Sequence, residues 1–384
     1  MATRIRLGLA GLGNEGRQIA PYFAREETVE LTAVADVRAE AREAFRHDFP
    51  SVRAFESVEA MCRSGAVDAV WIATPNPFHA EHTICAAENG VHVILEKPMA
   101  ITLDQAEAMV EAAERSRIRL LLHSHASDAP VVKMREIVAS GRLGRLIGIH
   151  AWSYKGWLRS PRLPAELDTS MGGGVVFRQG PHQIEIVRRI GGGMVRSVRA
   201  YAGRWHSSFQ TEGDYTALLE FENGAPATLV FNGYGYFNIT DLTWGVGESG
   251  FASSAGYRRQ VRQTAPADPA TFYTKPRLER PRPDRERRQP IFGLTVVSCE
   301  YGDLRQSPDG IYVYTDDGCE EIICPPYRDR AGDLRAMAQA IAGGTSVFPD
   351  GRWGLATLEV ILGILQSSRE GRTITLAHQC PAPE

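Results

Sequence analysis

The 384-residue chain has no long apolar run, no cysteine pair at redox or metal-binding spacing and no surplus of basic charge. Each absence removes a class of protein. Its apolar stretches fall short of the roughly 20 residues that a membrane-spanning helix needs, so no bilayer span is predicted. The opening "MATRIRLGLAGLGNEG" lacks the longer apolar core and small-residue cleavage site of a secretory signal, and it reads instead as a strand entering a glycine turn. The six cysteines (62, 85, 299, 319, 324 and 380) include no CxxC. They are read as free thiols of a cytoplasmic protein. His123 and His125 would share one face of a predicted strand, but no other ligand joins them, so no metal site is predicted. A formal net charge of -3 argues against a nucleic-acid partner. No internal repeat is visible.

What is present falls into two grammars. Up to about residue 123, short apolar runs ("IRLGLAG", "VELTAVAD", "VDAVWIATP", "VHVILEKP", "RLLLHSH") alternate with helical patterns of about a dozen residues. That alternation predicts a doubly wound parallel sheet covered on both faces. Beyond it, after a helix around "PVVKMREIVASG", long strand-like runs take over, among them "RLIGIHAWSYKGW", "YTALLEF", "APATLVFNGYG" and "ITDLTWGVG". Asn223-Gly224, Asp309-Gly310 and Asp317-Gly318 are tight-turn signals between strands. A second domain, 124–384, is therefore predicted with a large, mainly antiparallel or mixed open sheet, and two late helices (about 328–343 and 352–369) are expected to pack on it. The stretch 257–290 is rich in Pro and Arg ("RLERPRPDRERRQP") and reads as a solvated insertion or, alternatively, a partner-binding arm.

"GLGNEG" follows the first strand and opens a helix, placing glycines at 11, 13 and 16, with Leu12 and Asn14 between them. Gly11 permits the turn, Gly13 lets backbone approach a pyrophosphate and Gly16 lets helix and strand pack closely. The helix N-terminus then offers unpaired N–H groups to phosphate oxygens. Asp36, 20 residues after Gly16, stands where a carboxylate accepts from the adenosine ribose hydroxyls, which favours NAD; Arg38 leaves NADP open. In "ATPNPFH", Thr74, Pro75, Asn76 and His79 lie at the carboxyl edge of the sheet as candidate cofactor contacts, although a polar loop with a helix cap explains them equally well. "LEKP" brings Glu96 and Lys97 to the same edge.

The glycine turn, "ATPNPFH", "GVHVILEKPMA" and the later "GGG…G.H..E" together resemble the Gfo/Idh/MocA oxidoreductases over nearly the whole chain. The resemblance implies an N-terminal Rossmann domain (1–123), a C-terminal α/β domain on a large open sheet, a small-molecule substrate, and NAD(P)-dependent dehydrogenase activity. It makes Lys97 catalytic, in contact with both nicotinamide ribose and substrate, and Pro98 commonly cis. Hydride loss from a carbinol also requires a base for the hydroxyl proton, and burial beside a positive ring would lower a lysine's pKa as that task demands.

In most of that family the second-domain signature runs roughly GGGxLxDxGxHxxD. This chain keeps the glycines, Gly180 and His182, has Glu185 at the last acidic position, and carries Arg178 where the first aspartate stands. The stretch "GGGVVFRQGPHQIEIV" reads as a strand end, a tight turn and the first turn of a helix, with Pro181 at the first helical position and His182 in the field of the helix N-terminus. An arginine fork suits a carboxylate, through two parallel bonds worth about 1.5–3 kcal/mol. A surface ion pair, with Glu185 for instance, is the bland alternative. The blocks around 160–200, 211–235 and 350–372 resemble the 4,5-dihydro-4,5-dihydroxyphthalate dehydrogenases. Their substrate is a cis-dihydrodiol bearing two carboxylates, hence an anionic partner for Arg178. Arg159 and Arg162 are candidates for the second carboxylate or are simply loop solvation. Tyr154 and His206 would line the same cleft or serve structure. Rival readings are a sugar or inositol dehydrogenase, a cofactor-sensing regulator, and a redox-neutral hydrolytic use of NAD. The broad sheet, with its alternating apolar residues, predicts a homo-dimer or homo-tetramer.

Overall fold

A computed structural model describes residues 4–160, 162–207, 209–252, 287–327 and 329–383. Most of the Pro/Arg-rich stretch lies outside the described residues. Within them the chain forms two compact units, 4–123 with 329–358 and 124–327 with 359–383.

The first unit alternates β1 (Ile5–Ala10), α1 (Asn14–Phe23), β2 (Val29–Ala35), α2 (Ala39–Asp48), β3 (Arg53–Phe55), α3 (Val58–Arg63), β4 (Ala69–Ile72), α4 (His79–Glu88), β5 (His92–Leu95), α5 (Leu103–Arg115) and β6 (Leu120–Leu122). The six strands are parallel, in the order β3-β2-β1-β4-β5-β6. The order reverses beside β1, where open α/β sheets bind ligands at the carboxyl edge. Strand β3, three residues long, left no sequence signal. The strands β4, β5 and β6 are buried on both faces, so their apolar runs lack alternation.

Helix α8 (Asp329–Gly343) corrects one expectation. It packs on the first unit, not the second: Leu334, Met337 and Ala338 join the cluster of Leu7, Leu9, Ile19, Val34 and Trp71. The apolar faces of α1 and of the β1–β2 edge need a cover, and this late helix supplies it. Helix α9 (Gly351–Glu370) begins in the first unit and ends in the second.

The second unit holds α6 (Ala129–Ala139), β7 (Leu146–Tyr154), α7 (Gly174–Gly191), β8 (Val195–Gly203), β9 (Asp214–Phe221), β10 (Pro226–Asn232), β11 (Leu294–Cys299), β12 (Gly302–Gln306), β13 (Gly310–Thr315), β14 (Gly318–Ile323) and β15 (Ile374–Thr375). The nine strands run in the order β14-β13-β12-β11-β7-β10-β9-β8-β15, with β7 and β10 parallel and the other neighbours antiparallel. Gly224 and Gly318, both at positive φ, turn the two hairpins that Asn-Gly and Asp-Gly signalled. "ITDLTWGVG" is not a strand: Ile239–Leu242 is a single 3-10 turn, capped by Asn238 Oδ1 on Thr240 N at 3.2 Å.

Helix α7 lies on the inner face of this sheet. Gln183 Nε2 donates to Ala151 O and Val230 O, and Tyr215 Oη donates to Gln183 Oε1 at 2.6 Å. The opening stretch of this helix is the second correction. Val175, Val176 and Phe177 do not end a strand; the helix runs unbroken from Gly174 to Gly191, with Pro181 inside it. Sixteen of its 18 residues are buried, and the apolar triplet at its start resembles a core strand. His182 is therefore the ninth residue of the helix, beyond the reach of its N-terminal dipole.

Candidate active site

The glycine turn is built as its spacing demands. Gly11 has φ 89°, and a Cβ there would sit 2.7 Å from Ala73 O. A Cβ on Gly16 would lie 1.9 Å from Gly11 O, so helix and turn touch backbone to backbone. Gly13 caps α1 without a side chain, and Asn14 is the first helical residue. This cradle has no space for side chains and ends in helix N–H groups, which fits a dinucleotide pyrophosphate.

Asp36 follows the last residue of β2 and receives four hydrogen bonds. Its Oδ2 accepts from Leu12 N at 2.7 Å and Arg38 Nη2 at 3.0 Å; its Oδ1 accepts from Arg38 N at 2.9 Å and Arg38 Nε at 3.0 Å. Burial pushes this carboxyl up, but the bonds from Arg38 and Leu12 outweigh it and hold the group below its ordinary value.

At the neighbouring edge, Thr74 and Pro75 lead into the 3-10 turn Asn76–Phe78. Thr74 Oγ1 lies 3.0 Å from His82 Nδ1. Pro75 is exposed, whereas Asn76 is buried. His79 is only 1% exposed, with Nδ1 2.8 Å from Pro98 O and Nε2 2.8 Å from Thr74 O. It stitches the Thr74 and Pro98 loops together. Glu96 is likewise buried. Lys97 beside it is half-buried, and the Lys97–Pro98 bond is cis.

Glu96 belongs to a network that sequence reasoning missed. Arg330, on α8, places Nη2 2.6 Å from Glu15 Oε2 and 3.6 Å from Glu96 Oε1. His123 Nδ1 lies 2.6 Å from Asp333 Oδ2, one turn along the same helix. Burial pushes the Glu96 carboxyl up, but His123, Arg330, Lys97 and His79 outweigh it and hold it down at about 2. His123 moves the other way: burial lowers it, Glu96 and Asp333 raise it further. The partners lie more than 200 residues apart, so no local pattern announces them.

In the second unit, Arg178 and His182 stand one turn apart on α7. Glu166 is an ion partner of Arg178, at 3.0 Å from Nη2. Glu185 is buried and accepts from Ser124 Oγ at 2.6 Å. Arg162 Nη1 reaches the same Glu166 oxygen at 3.7 Å, and its guanidinium lies 4.2 Å from the centre of the Trp157 ring. Arg159 stacks on Tyr236 at 4.2 Å and donates to Tyr234 O. Tyr154 goes elsewhere. It shares the outer face of the sheet with Trp152 and lines an apolar pocket with Val230, Phe237, Ile239 and Leu242, about 470 Å³ in volume. Strand alternation sends Ala151 and Ser153 inward and Trp152 and Tyr154 outward, away from α7. His206 sits in an aromatic group with Phe209 and Tyr234, 5.2 and 6.1 Å between ring centres.

His182 has a second imidazole beside it. The His125 ring stands edge-on to it at 4.9 Å, and Phe292 lies against both, at 4.6 Å from His182 and 6.0 Å from His125. His125 Nδ1 lies 2.6 Å from Asp128 Oδ2. A carboxylate can only accept, so this contact keeps a proton on Nδ1. His123 and His125 do not share a strand face, because β6 ends at Leu122 and His125 opens a 3-10 turn (His125–Ser127) of the second unit. The His-x-x-Asp spacing was readable in "HASD" once the turn is known. Among the described residues no three His, Cys, Asp or Glu side chains gather as a metal would need, and no helix is long and apolar enough to cross a membrane.

Comparison with known proteins agrees with this architecture. Residues 5–123 match the oxidoreductase family with NAD-binding Rossmann fold, and residues 131–246 match the Gfo/Idh/MocA C-terminal domain. The chain is 31% identical to the 1-carboxy-3-chloro-3,4-dihydroxycyclohexa-1,5-diene dehydrogenase of Comamonas testosteroni, over 95% of each chain. A crystal structure from Bordetella bronchiseptica RB50 is 36% identical, covers 97% of this chain and all of that one, and superposes with a TM-score of 0.89. The WlbA dehydrogenase of Bordetella pertussis, solved with NADH and UDP-GlcNAcA, shares the fold at 21% identity and a TM-score of 0.72, over 98% and 99% of the two chains. With its glycine cradle, parallel sheet and second nine-stranded sheet, the chain belongs to the Gfo/Idh/MocA oxidoreductases, an NAD(P)-dependent enzyme with an NAD-binding Rossmann domain.

Proposed function

We propose that the enzyme oxidises a ring carbinol of a small, carboxylated cyclic cis-diol, with cis-4,5-dihydro-4,5-dihydroxyphthalate as the best candidate and 4,5-dihydroxyphthalate as the product. The observation that carries this reading is Arg178, a guanidinium where the family signature has an aspartate, set on α7 one turn before His182. Glu166 orients the guanidinium. Arg162 shares that glutamate with Arg178. Two guanidiniums gathered at one place suit a carboxylated substrate. The Comamonas relative's name describes a carboxylated ring dihydrodiol, the same chemistry.

Bound NAD supplies the hydride acceptor, held by the turn at Gly11, Gly13 and Gly16 and by Asp36. Lys97 takes the proton of the reacting hydroxyl, His182 hydrogen-bonds a substrate hydroxyl, and Arg178 clamps a carboxylate. The resulting ketone tautomerises to an aromatic catechol, which makes the reaction downhill. NAD is the preferred cofactor on the strength of Asp36, and the assembly is a homo-dimer or homo-tetramer.

The test follows NADH absorbance with NAD and the phthalate dihydrodiol, native protein beside Arg178→Asp. Native turnover, with kcat/KM lower by about 10²-fold in the variant, is expected for the loss of a bidentate contact plus charge reversal. Oxidation of an inositol or aldose with no response to the dihydrodiol would hand the assignment to the sugar-dehydrogenase reading. NAD binding without net NADH would point to a redox-neutral or sensing role.

A further inference from the structure

Glu15 sits awkwardly for a dinucleotide-binding turn. It is the second residue of α1, and helix N-termini at such turns receive the two negative charges of the pyrophosphate. A carboxylate there favours the helix dipole but opposes the phosphates. The chain meets it with a cation from 315 residues away. Arg330 Nη2 lies 2.6 Å from Glu15 Oε2, and the same nitrogen is 3.6 Å from Glu96 Oε1. The arginine side chain is 17% exposed, so this pair is shielded more than an ordinary surface pair, although Glu15 itself is 44% exposed.

The position of Arg330 is fixed by its helix, not by the pair alone. Leu334, one turn on, is fully buried in the core of the first unit. Asp333 binds His123 at 2.6 Å. Asp329 Oδ1 accepts from Ala331 N at 3.0 Å and caps the start of the helix. The other charged groups around Glu96 are Lys97, His123 and His79. Glu96 therefore has several cations around it, whereas Glu15 is paired with Arg330.

We propose that Arg330 is a positioning residue of the cofactor end: it neutralises Glu15 so that the glycine turn accepts a dinucleotide pyrophosphate, while Glu96 fastens it to the strand end that carries Lys97. The inference concerns cofactor binding and is independent of which alcohol the enzyme oxidises.

The experiment is a fluorescence titration of the cofactor-free protein with NADH, at two salt concentrations. Arg330→Gln leaves the Glu15 charge unbalanced and is expected to raise Kd about tenfold, more at low salt than at high. Glu15→Gln is expected to bind as tightly as native or tighter. The double variant is expected to return to within about threefold of native, a rescue that a merely structural role of Arg330 would not produce. Arg330→Lys, which keeps the charge, is expected to stay within about threefold and serves if the glutamine variant folds poorly. Native affinity in Arg330→Gln, or a double variant as weak as Arg330→Gln alone, overturns the proposal.

Discussion

Asp36 and Arg38 occupy each other so fully that the acid has no lone-pair site to spare: four N–H donors meet its two oxygens. A ribose diol can take over the two bonds that the Arg38 side chain makes to Asp36 at little net change, whereas a 2′-phosphate would need that guanidinium as its partner. Arg38→Gln should therefore lower kcat/KM with NADP about tenfold and leave NAD within about threefold, measured with both cofactors on one substrate. A second prediction concerns Glu96. Its carboxyl is held at about 2 against an ordinary 4.5, so its contribution to stability is complete above the ordinary value and is lost as pH falls through about 2. Glu96→Gln should cost roughly 3 kcal/mol near neutral pH, with the gap from native closing between about pH 5 and 2 in denaturant titrations. His123 is raised, so its contribution has the opposite sense, complete below its ordinary 6.5 and lost as pH climbs through the folded value. Asp333→Asn, which removes the carboxylate partner of His123, should hence cost most in mildly acid solution and least in alkali.

Helix α7 offers two glycines with opposite fates. A Cβ on Gly191 would sit 2.2 Å from the Phe221 ring, so Gly191→Ala should destabilise by about 1–3 kcal/mol. A Cβ on Gly180 meets Ile184 at 3.6 Å and Tyr215 Oη at 3.8 Å, ordinary contacts, so Gly180→Ala should gain about 0.5–1 kcal/mol of helix propensity. Thermal midpoints of the two variants check both. The same helix shows where sequence reading succeeds and where it stops. Local signals were legible: the glycine turn, the hairpins at Gly224 and Gly318, and the Thr102 cap, whose Oγ1 accepts from Gln105 N at 3.3 Å. The start of helix α7 was not, because its 175–177 triplet reads as a strand and Pro181 suggests a start where there is none. Glu166 as partner of Arg178 and Asp333 as partner of His123 are choices of tertiary packing that no spacing encodes.

At the scale of the molecule, the outer face of the nine-stranded sheet is unusually apolar. Trp152 is 42% exposed, Leu218 47% and Tyr201 63%, on β7, β9 and β8. A homo-oligomer formed across this face would bury them. Leu218→Asp should then shift the protein toward monomer in sedimentation velocity while leaving NADH binding intact. A different consequence attaches to α8. The first unit borrows Leu334, Met337 and Ala338 for its core, so it is incomplete when residue 123 has been made. About 200 further residues must be translated before that helix exists, some tens of seconds at roughly 5–20 residues per second. Throughout that interval the nascent cofactor-binding unit exposes the groove that α8 will fill, a surface for chaperones to hold. Ribosome-stalled chains ending near residue 320 should accordingly be cleaved by protease within the first 123 residues, and chains long enough to release residue 345 should resist.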